Sequence, residues 1–152
     1  MMAYRIADPR HKIYDATGAM LKGGRWNSIG TAVIYAAQTF AGAMLEILVH
    51  ANASRPPKKH QLVRITIPED VAIEKIEASA LPGRDAPDCL ASKAFGDQWV
   101  KDMRTAVLIV PATVTYGFEN NVLINPLHPQ FSLIVPGAPE PIMWDDRFFS
   151  SK

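Results

Sequence analysis

Three side chains able to do polar chemistry are set in a stretch otherwise made mostly of small and apolar residues: Arg25, Tyr35 and Glu46, within GGRWNSIGTAVIYAAQTFAGAMLEILVH (23–50). Arg25 follows two glycines, which let the backbone take positive φ or approach another group closely. A guanidinium beside exposed backbone N–H groups suits a phosphate, because its planar fork bonds two oxygens at once. The same residues also describe an ordinary turn with a solvated arginine. Tyr35 ends an apolar run and offers a ring with a polar tip, for which core packing is the plainer role. Glu46 stands between Leu45 and Ile47, and at about 100° per residue it falls at the edge of an apolar helical stripe. His50 lies four residues on, on the same face, where the pair can equally be an exposed contact worth about 0.3 kcal/mol.

Taken together the three residue types fit one kind of molecule. NAD⁺ offers a pyrophosphate to an arginine and a cationic nicotinamide ring to an aromatic face. Its N-glycosidic bond breaks through an oxocarbenium-like ribose, which a carboxylate stabilises. For that chemistry the turn, the strand and the helix that carry the three residues must converge on one cleft.

The elements available for this can be read along the chain. Ala3–Ile6 reads as a short strand, followed by a polar loop through Gly24. TAVIYA (31–36) is β-rich and reads as a buried strand. Residues 38–52 read as a helix with Thr39 as N-cap and Ala41, Met44, Leu45, Leu48 and Val49 as its core stripe. HQLVRITIP alternates Val63, Ile65 and Ile67 against Leu62, Arg64 and Thr66 and is stopped by Pro68, a strand signature. Asp88–Met103 reads as a helix with Cys89, Phe95, Trp99 and Met103 on one face, although Gly96 weakens it. TAVLIVP, NNVLINP and QFSLIVP are apolar runs closed by proline and read as strands of an antiparallel sheet. The expectation is an α+β fold, one domain over residues 1–152, with an antiparallel sheet and a few helices.

Composition narrows the function classes. A 152-residue chain with 48% hydrophobic and 20% charged residues is long enough for a full core and is not a disordered one. Its net charge of +1 gives no electrostatic case for direct nucleic-acid binding or an anionic membrane. MMAYRIADPR does not read as a secretory signal, and no run is long and apolar enough to span a bilayer, so a cytoplasmic location is expected. Cys89 is the sole cysteine, and the four histidines lack ligand spacing, so no metal site is expected. Cys89 is expected to be a buried helix residue, not a nucleophile, and His128 to hydrogen-bond locally. SRPPKKH (54–60) reads as an exposed loop. The tail PIMWDDRFF (141–149) either packs back or offers Trp144, Phe148 and Phe149 to a protein interface.

Tyr4–Arg5, GGRWNSIGTAVIYAA, GAMLEILVH, the Val-Pro at 110–111 and NVLINPLHP, in that order, resemble the RES domain from Tyr4 to Arg147. That resemblance implies a fold like that of the ADP-ribosyltransferase toxins and the toxin half of a toxin–antitoxin pair. It also implies consumption of NAD⁺ by hydrolysis or phosphorolysis, or ADP-ribosyl transfer to a protein. NAD⁺ is then substrate, and no further cofactor is implied. The implied partner is an Xre-like helix-turn-helix antitoxin, in a hetero-oligomer with a possible toxin homodimer. The catalytic set implied is Arg25 on the phosphates, Tyr35 beside nicotinamide and Glu46 at the ribosyl cation. Trp26, Asn27, His50 and Asn125 are implied substrate-binding positions, and Arg5 a phosphate or structural contact. Ala112 stands where many members have a serine after the Val-Pro, removing a hydroxyl that Thr113 replaces poorly if the stretch is a strand. A catalytically weak nucleotide- or antitoxin-binding module is the alternative that this substitution raises.

Overall fold

The computed structural model describes residues 1–50 and 57–149. Strand β1 (Met2–Ala7) pairs antiparallel with β3 (Gln61–Thr66) along its whole length, from Met2 opposite Thr66 to Ala7 opposite Gln61. Strand β2 (Ile34–Ala37) runs antiparallel to β6 (Asn120–Ile124), which pairs antiparallel with β5 (Val107–Pro111). A short β4 (Ile73–Lys75) adds to β5 in parallel, an exception to the otherwise antiparallel pairing. The two-residue strands β7 (Val135–Pro136) and β8 (Glu140–Pro141) both pair with β3. The sheet order is β4-β5-β6-β2-β1-β3-β7, with β8 also on β3. This is the α+β class with an antiparallel core that the sequence led one to expect.

Alternation and continuous runs have different causes here. β5 is buried at all five residues and β6 at its last three, which is why VLIVP and VLI carry no polar alternation. One sheet face packs Ile34, Ala36, Val63, Ile65, Val107 and Val122 into the largest apolar cluster. The opposite face is divided. Trp26, Val33, Trp99, Leu108 and Leu123 form one cluster under helix α3 (Leu90–Lys101), and Ile6, Ala37, Ala43 and Leu62 form another under helix α2 (Phe40–His50). Between β1 and β2 the sheet is nearly parted: Tyr4 opposite Ala37 is their one paired register position.

Thr39 caps α2 as expected, its Oγ1 accepting the Gly42 N–H at 2.9 Å while donating to Glu119 Oε2 at 2.6 Å. The expected core stripe holds only in part. Ala41 is exposed and Leu45 and Val49 are 40% and 64% exposed, whereas Met44 does pack on the α2-side cluster, together with Ala43 and Ile47, and Gly42 is buried beside them. The helix is apolar nearly all round, so periodicity does not choose its face; size does. A Cβ at Gly42 would sit 3.5 Å from the Ala37 Cβ and 2.9 Å from Glu119 Oε2, so the small face is the one able to close on β2. Asn52, and residues 54–56 of the expected loop, lie outside the described residues; Lys58 and Lys59 are exposed.

Three further expectations change. The loop before Gly24 contains a short helix, α1 (Thr17–Lys22). QFSLIVP is mostly a 3-10 turn over Pro129–Leu133, because His128 Nδ1 accepts the Gln130 N–H at 3.1 Å and Pro129 suits a first helical position. Cys89 is not on the core face of α3. It precedes the helix with φ 58°, and Ser92, Gly96, Trp99 and Val100 are the buried face. In the tail, Ile142 packs against the α2-side cluster and Trp144 lies edge-on to Phe149 at 6.0 Å, while Met143 and Phe148 stay exposed.

Candidate active site

Helix α3 holds the glycine-flanked arginine turn in place. Ser92 Oγ donates to Arg25 O at 2.6 Å, and Asp97 Oδ1 accepts the Ser28 N–H at 2.8 Å. Gly96 lies directly on the turn, since a Cβ there would be 1.8 Å from Trp26 O. The glycine that weakens the helix by propensity is therefore what lets the helix touch the turn.

Tyr35 reaches from β2 to the same turn. Its hydroxyl accepts the Trp26 N–H at 3.0 Å and donates to Asn27 Oδ1 at 2.7 Å. A Cβ at Gly24 would stand 2.6 Å from that oxygen, so the second glycine makes room for the tyrosine. Burial pushes the Tyr35 phenol well above its ordinary value, and the Trp26 N–H, with the Arg25 charge, opposes this only in part.

A cleft of about 190 Å³ opens between α2 and strands β1, β2 and β6, where the sheet parts. Tyr35, Glu46, His50, Asn121, Tyr4 and Arg5 line it, over Ala36 and Ala37. Glu46 Oε1 accepts a 2.7 Å hydrogen bond from Asn121 Nδ2, and Oε2 stands 3.8 Å from His50 Nε2. The Glu46 side chain is 28% exposed and His50 is 77% exposed, so the carboxylate faces the cleft and the histidine its mouth. Arg5 bridges the parting of the sheet: Nη1 donates to Tyr35 O at 2.6 Å and Nε to Ile13 O at 2.5 Å. Burial lowers the pKa of this guanidinium, and the Asp15 carboxylate partly restores it.

Arg25 does not line this cleft. It is half-buried, with Nη1 donating to Ala86 O at 3.2 Å and Arg84 O at 3.4 Å. Among the described residues neither Arg5 nor Arg25 has a carboxylate at ion-pair distance, which leaves both charges available to an anion.

The other expected substrate-binding positions do not line the cleft. Trp26, at 2% exposure, is a core residue edge-on to Phe95. Asn27 is fully buried, its Nδ2 donating to Ala19 O at 2.8 Å and Thr31 O at 2.9 Å. Asn125 is also fully buried, with Oδ1 accepting the Leu127 N–H at 3.0 Å. Ala112 is buried at the start of a 3-10 turn (Thr113–Thr115), where its carbonyl accepts Gly117 N–H at 2.9 Å; it does not line the cleft. Thr113 belongs to that turn, so the strand-face comparison with Ala112 does not apply.

Sequence reasoning missed Asn121. The signal was present: asparagine is disfavoured in a strand interior, and Asn121 lies two positions from Leu123 in β6, on the face that Tyr35 shares. Among the described residues no group of histidine, cysteine and carboxylate side chains could hold a metal ion, and no helix is long and apolar enough to cross a membrane.

The domain is thus of the α+β class, its sheet parting over a cleft lined by a carboxylate, a tyrosine and an arginine. The RES domain family model matches residues 2–145, and the chain belongs to that family. It is 44% identical over 116 residues to the Prs ADP-ribosylating toxin of Sphingobium sp. (strain YBL2), covering 74% of this chain and 71% of that protein. A Toxin Res of Yersinia enterocolitica is 36% identical over 135 residues, covering 86% and 88% of the two chains. The crystal structure of the M. tuberculosis MbcT–MbcA toxin–antitoxin complex contains a chain of the same fold, at TM-score 0.76 and 18% identity, over 93% of this chain and 83% of that one.

Proposed function

We propose that this protein is the toxin of a toxin–antitoxin pair and that it breaks the nicotinamide–ribose bond of NAD⁺. The observation that carries the reading is Glu46, a carboxylate held by Asn121 in a cleft that Tyr35 also lines. At about 190 Å³ the cleft is smaller than the roughly 300 Å³ at which ordinary ligand pockets begin, so it takes one end of a dinucleotide. The nicotinamide–ribose end enters beside the Tyr35 ring, and the pyrophosphate lies toward an unpaired guanidinium. Arg5 is already in the cleft; Arg25 requires the phosphates to extend past Tyr35.

The C1′–N bond breaks heterolytically, its electron pair leaving with neutral nicotinamide. Glu46 stabilises the oxocarbenium left on the ribose. Water then adds at C1′ and loses a proton to give ADP-ribose, or a phosphate oxygen adds to give the ADP-ribose phosphoester. A protein side chain in the same place makes the reaction an ADP-ribosyl transfer, the reading favoured by the Sphingobium relative's name. The antitoxin would be an Xre-like helix-turn-helix protein that blocks the cleft within a hetero-oligomer, the toxin itself pairing as a homodimer. Both NAD⁺ and that partner would be met in the cytoplasm.

The test is NAD⁺ loss over time with purified, antitoxin-free protein, with and without phosphate, beside Glu46→Ala. Loss that requires Glu46, with the product identified by mass, supports cleavage and names the acceptor. No loss in either buffer, with transfer of labelled ADP-ribose to a lysate protein, supports the transferase. Neither activity refutes both and leaves the binding module.

A further inference from the structure

The geometry points to Asn121 as the positioning residue for Glu46, an assignment that rests on the NAD⁺ reading of the cleft. A carboxylate on a helix has two oxygens and a freely turning terminal torsion. Here one oxygen is committed: Asn121 Nδ2 donates to Glu46 Oε1 at 2.7 Å across 75 residues of sequence. The other, Oε2, is left for the cleft, with the exposed His50 imidazole 3.8 Å from it. One amide donor thus fixes the plane of the carboxylate and decides which oxygen meets the ribosyl cation.

The other end of the amide indicates why the residue is there. Asn121 Oδ1 is buried and, among the described residues, has no hydrogen-bond partner. An orphan buried acceptor destabilises a fold, and asparagine is a poor strand residue, so neither half of this side chain recommends it for stability. Position 121 pairs with Ala37 of β2 and Val110 of β5 in the middle of the sheet, where a β-branched apolar residue would be the ordinary choice. The Nδ2–Glu46 bond is the one gain the structure offers, and it acts on the carboxylate.

This gives a signature that separates positioning from structure. Asn121→Val should unfold at the same or a higher temperature than the parent protein while its kcat for NAD⁺ cleavage falls at least tenfold and KM changes less than about threefold. Asn121→Asp, which keeps the shape but replaces the donor with a second carboxylate, should lose kcat at least as severely; it serves if the valine variant fails to fold. Unchanged kcat in either folded variant would overturn the assignment. So would a loss of turnover that tracks a fall in unfolding temperature, which is what a purely structural asparagine gives. If the parent protein does not consume NAD⁺, the reading of the cleft fails and the assignment with it. If it does and Asn121 variants match it, only the assignment fails.

Discussion

Replacing Tyr35 by phenylalanine separates the two jobs that the side chain could have. The hydroxyl lies between the Trp26 N–H at 3.0 Å and Asn27 Oδ1 at 2.7 Å, and both residues are essentially inaccessible to water. Removing it orphans one buried donor and one buried acceptor, each costing about 1–3 kcal/mol, so about 2–6 kcal/mol in all. For a chain of this size, at roughly 2–4 °C per kcal/mol, the unfolding temperature should fall by about 4–24 °C. The ring itself, and the backbone carbonyl that meets Arg5, are retained. Assayed well below its unfolding temperature, the variant should therefore cleave NAD⁺ within about threefold of the parent rate. Differential scanning calorimetry and initial-rate kinetics on one preparation give both numbers. A Tyr35→Phe protein with parental thermal stability and a hundredfold loss of kcat would refute the reasoning, because the hydroxyl would then serve substrate and not the turn.

Gly96→Ala places a methyl carbon 1.8 Å from Trp26 O; because the obstacle is backbone, α3 and the arginine turn must separate, lowering stability by about 3 kcal/mol or more in a denaturant titration. Arg5→Lys cannot reach both Ile13 O and Tyr35 O, so calorimetry with the Glu46→Ala background should show NAD⁺ binding weakened about tenfold. Burial raises the phenols of Tyr14, to about 12, and Tyr35. A folded pKa above the unfolded value of about 10 favours the native state at lower pH, and that contribution is lost as pH climbs from about 10 through the folded value. Absorbance titration should show two of the four tyrosines ionising late, and unfolding should begin as they do.

The strands were legible where their patterns were local. HQLVRITIP and the Val-Pro and Asn-Pro runs became β3, β5 and β6, and Thr39 capped α2. Arg25, Tyr35 and Glu46, with His50 and Asn125, were expected in one cleft; the fold brings Tyr35, Glu46 and His50 to it, leaves Arg25 and Asn125 out of its lining, and adds Arg5. What could not be read was which side of an all-apolar helix turns inward, because that depends on the small residues of a strand met only after folding. Trp26, Asn27 and Asn125 were implied as site residues by the motifs they sit in, yet none lines the cleft: Asn27 joins the Tyr35 hydroxyl to backbone carbonyls of the turn, and Asn125 Oδ1 accepts the Leu127 N–H.

The parting between β1 and β2 has a mechanical meaning. One ladder, β4-β5-β6-β2, carries Tyr35 and Asn121; a second, β1-β3 with β7 and β8, carries Arg5 and Tyr4. Within the sheet a single residue pair and the Arg5 guanidinium join them, while apolar clusters packed from both ladders hold the two against each other. A ligand lying in the cleft is a further crosspiece that touches both ladders. Occupancy should accordingly slow amide exchange on both sides of the joint, far beyond the residues that the ligand touches.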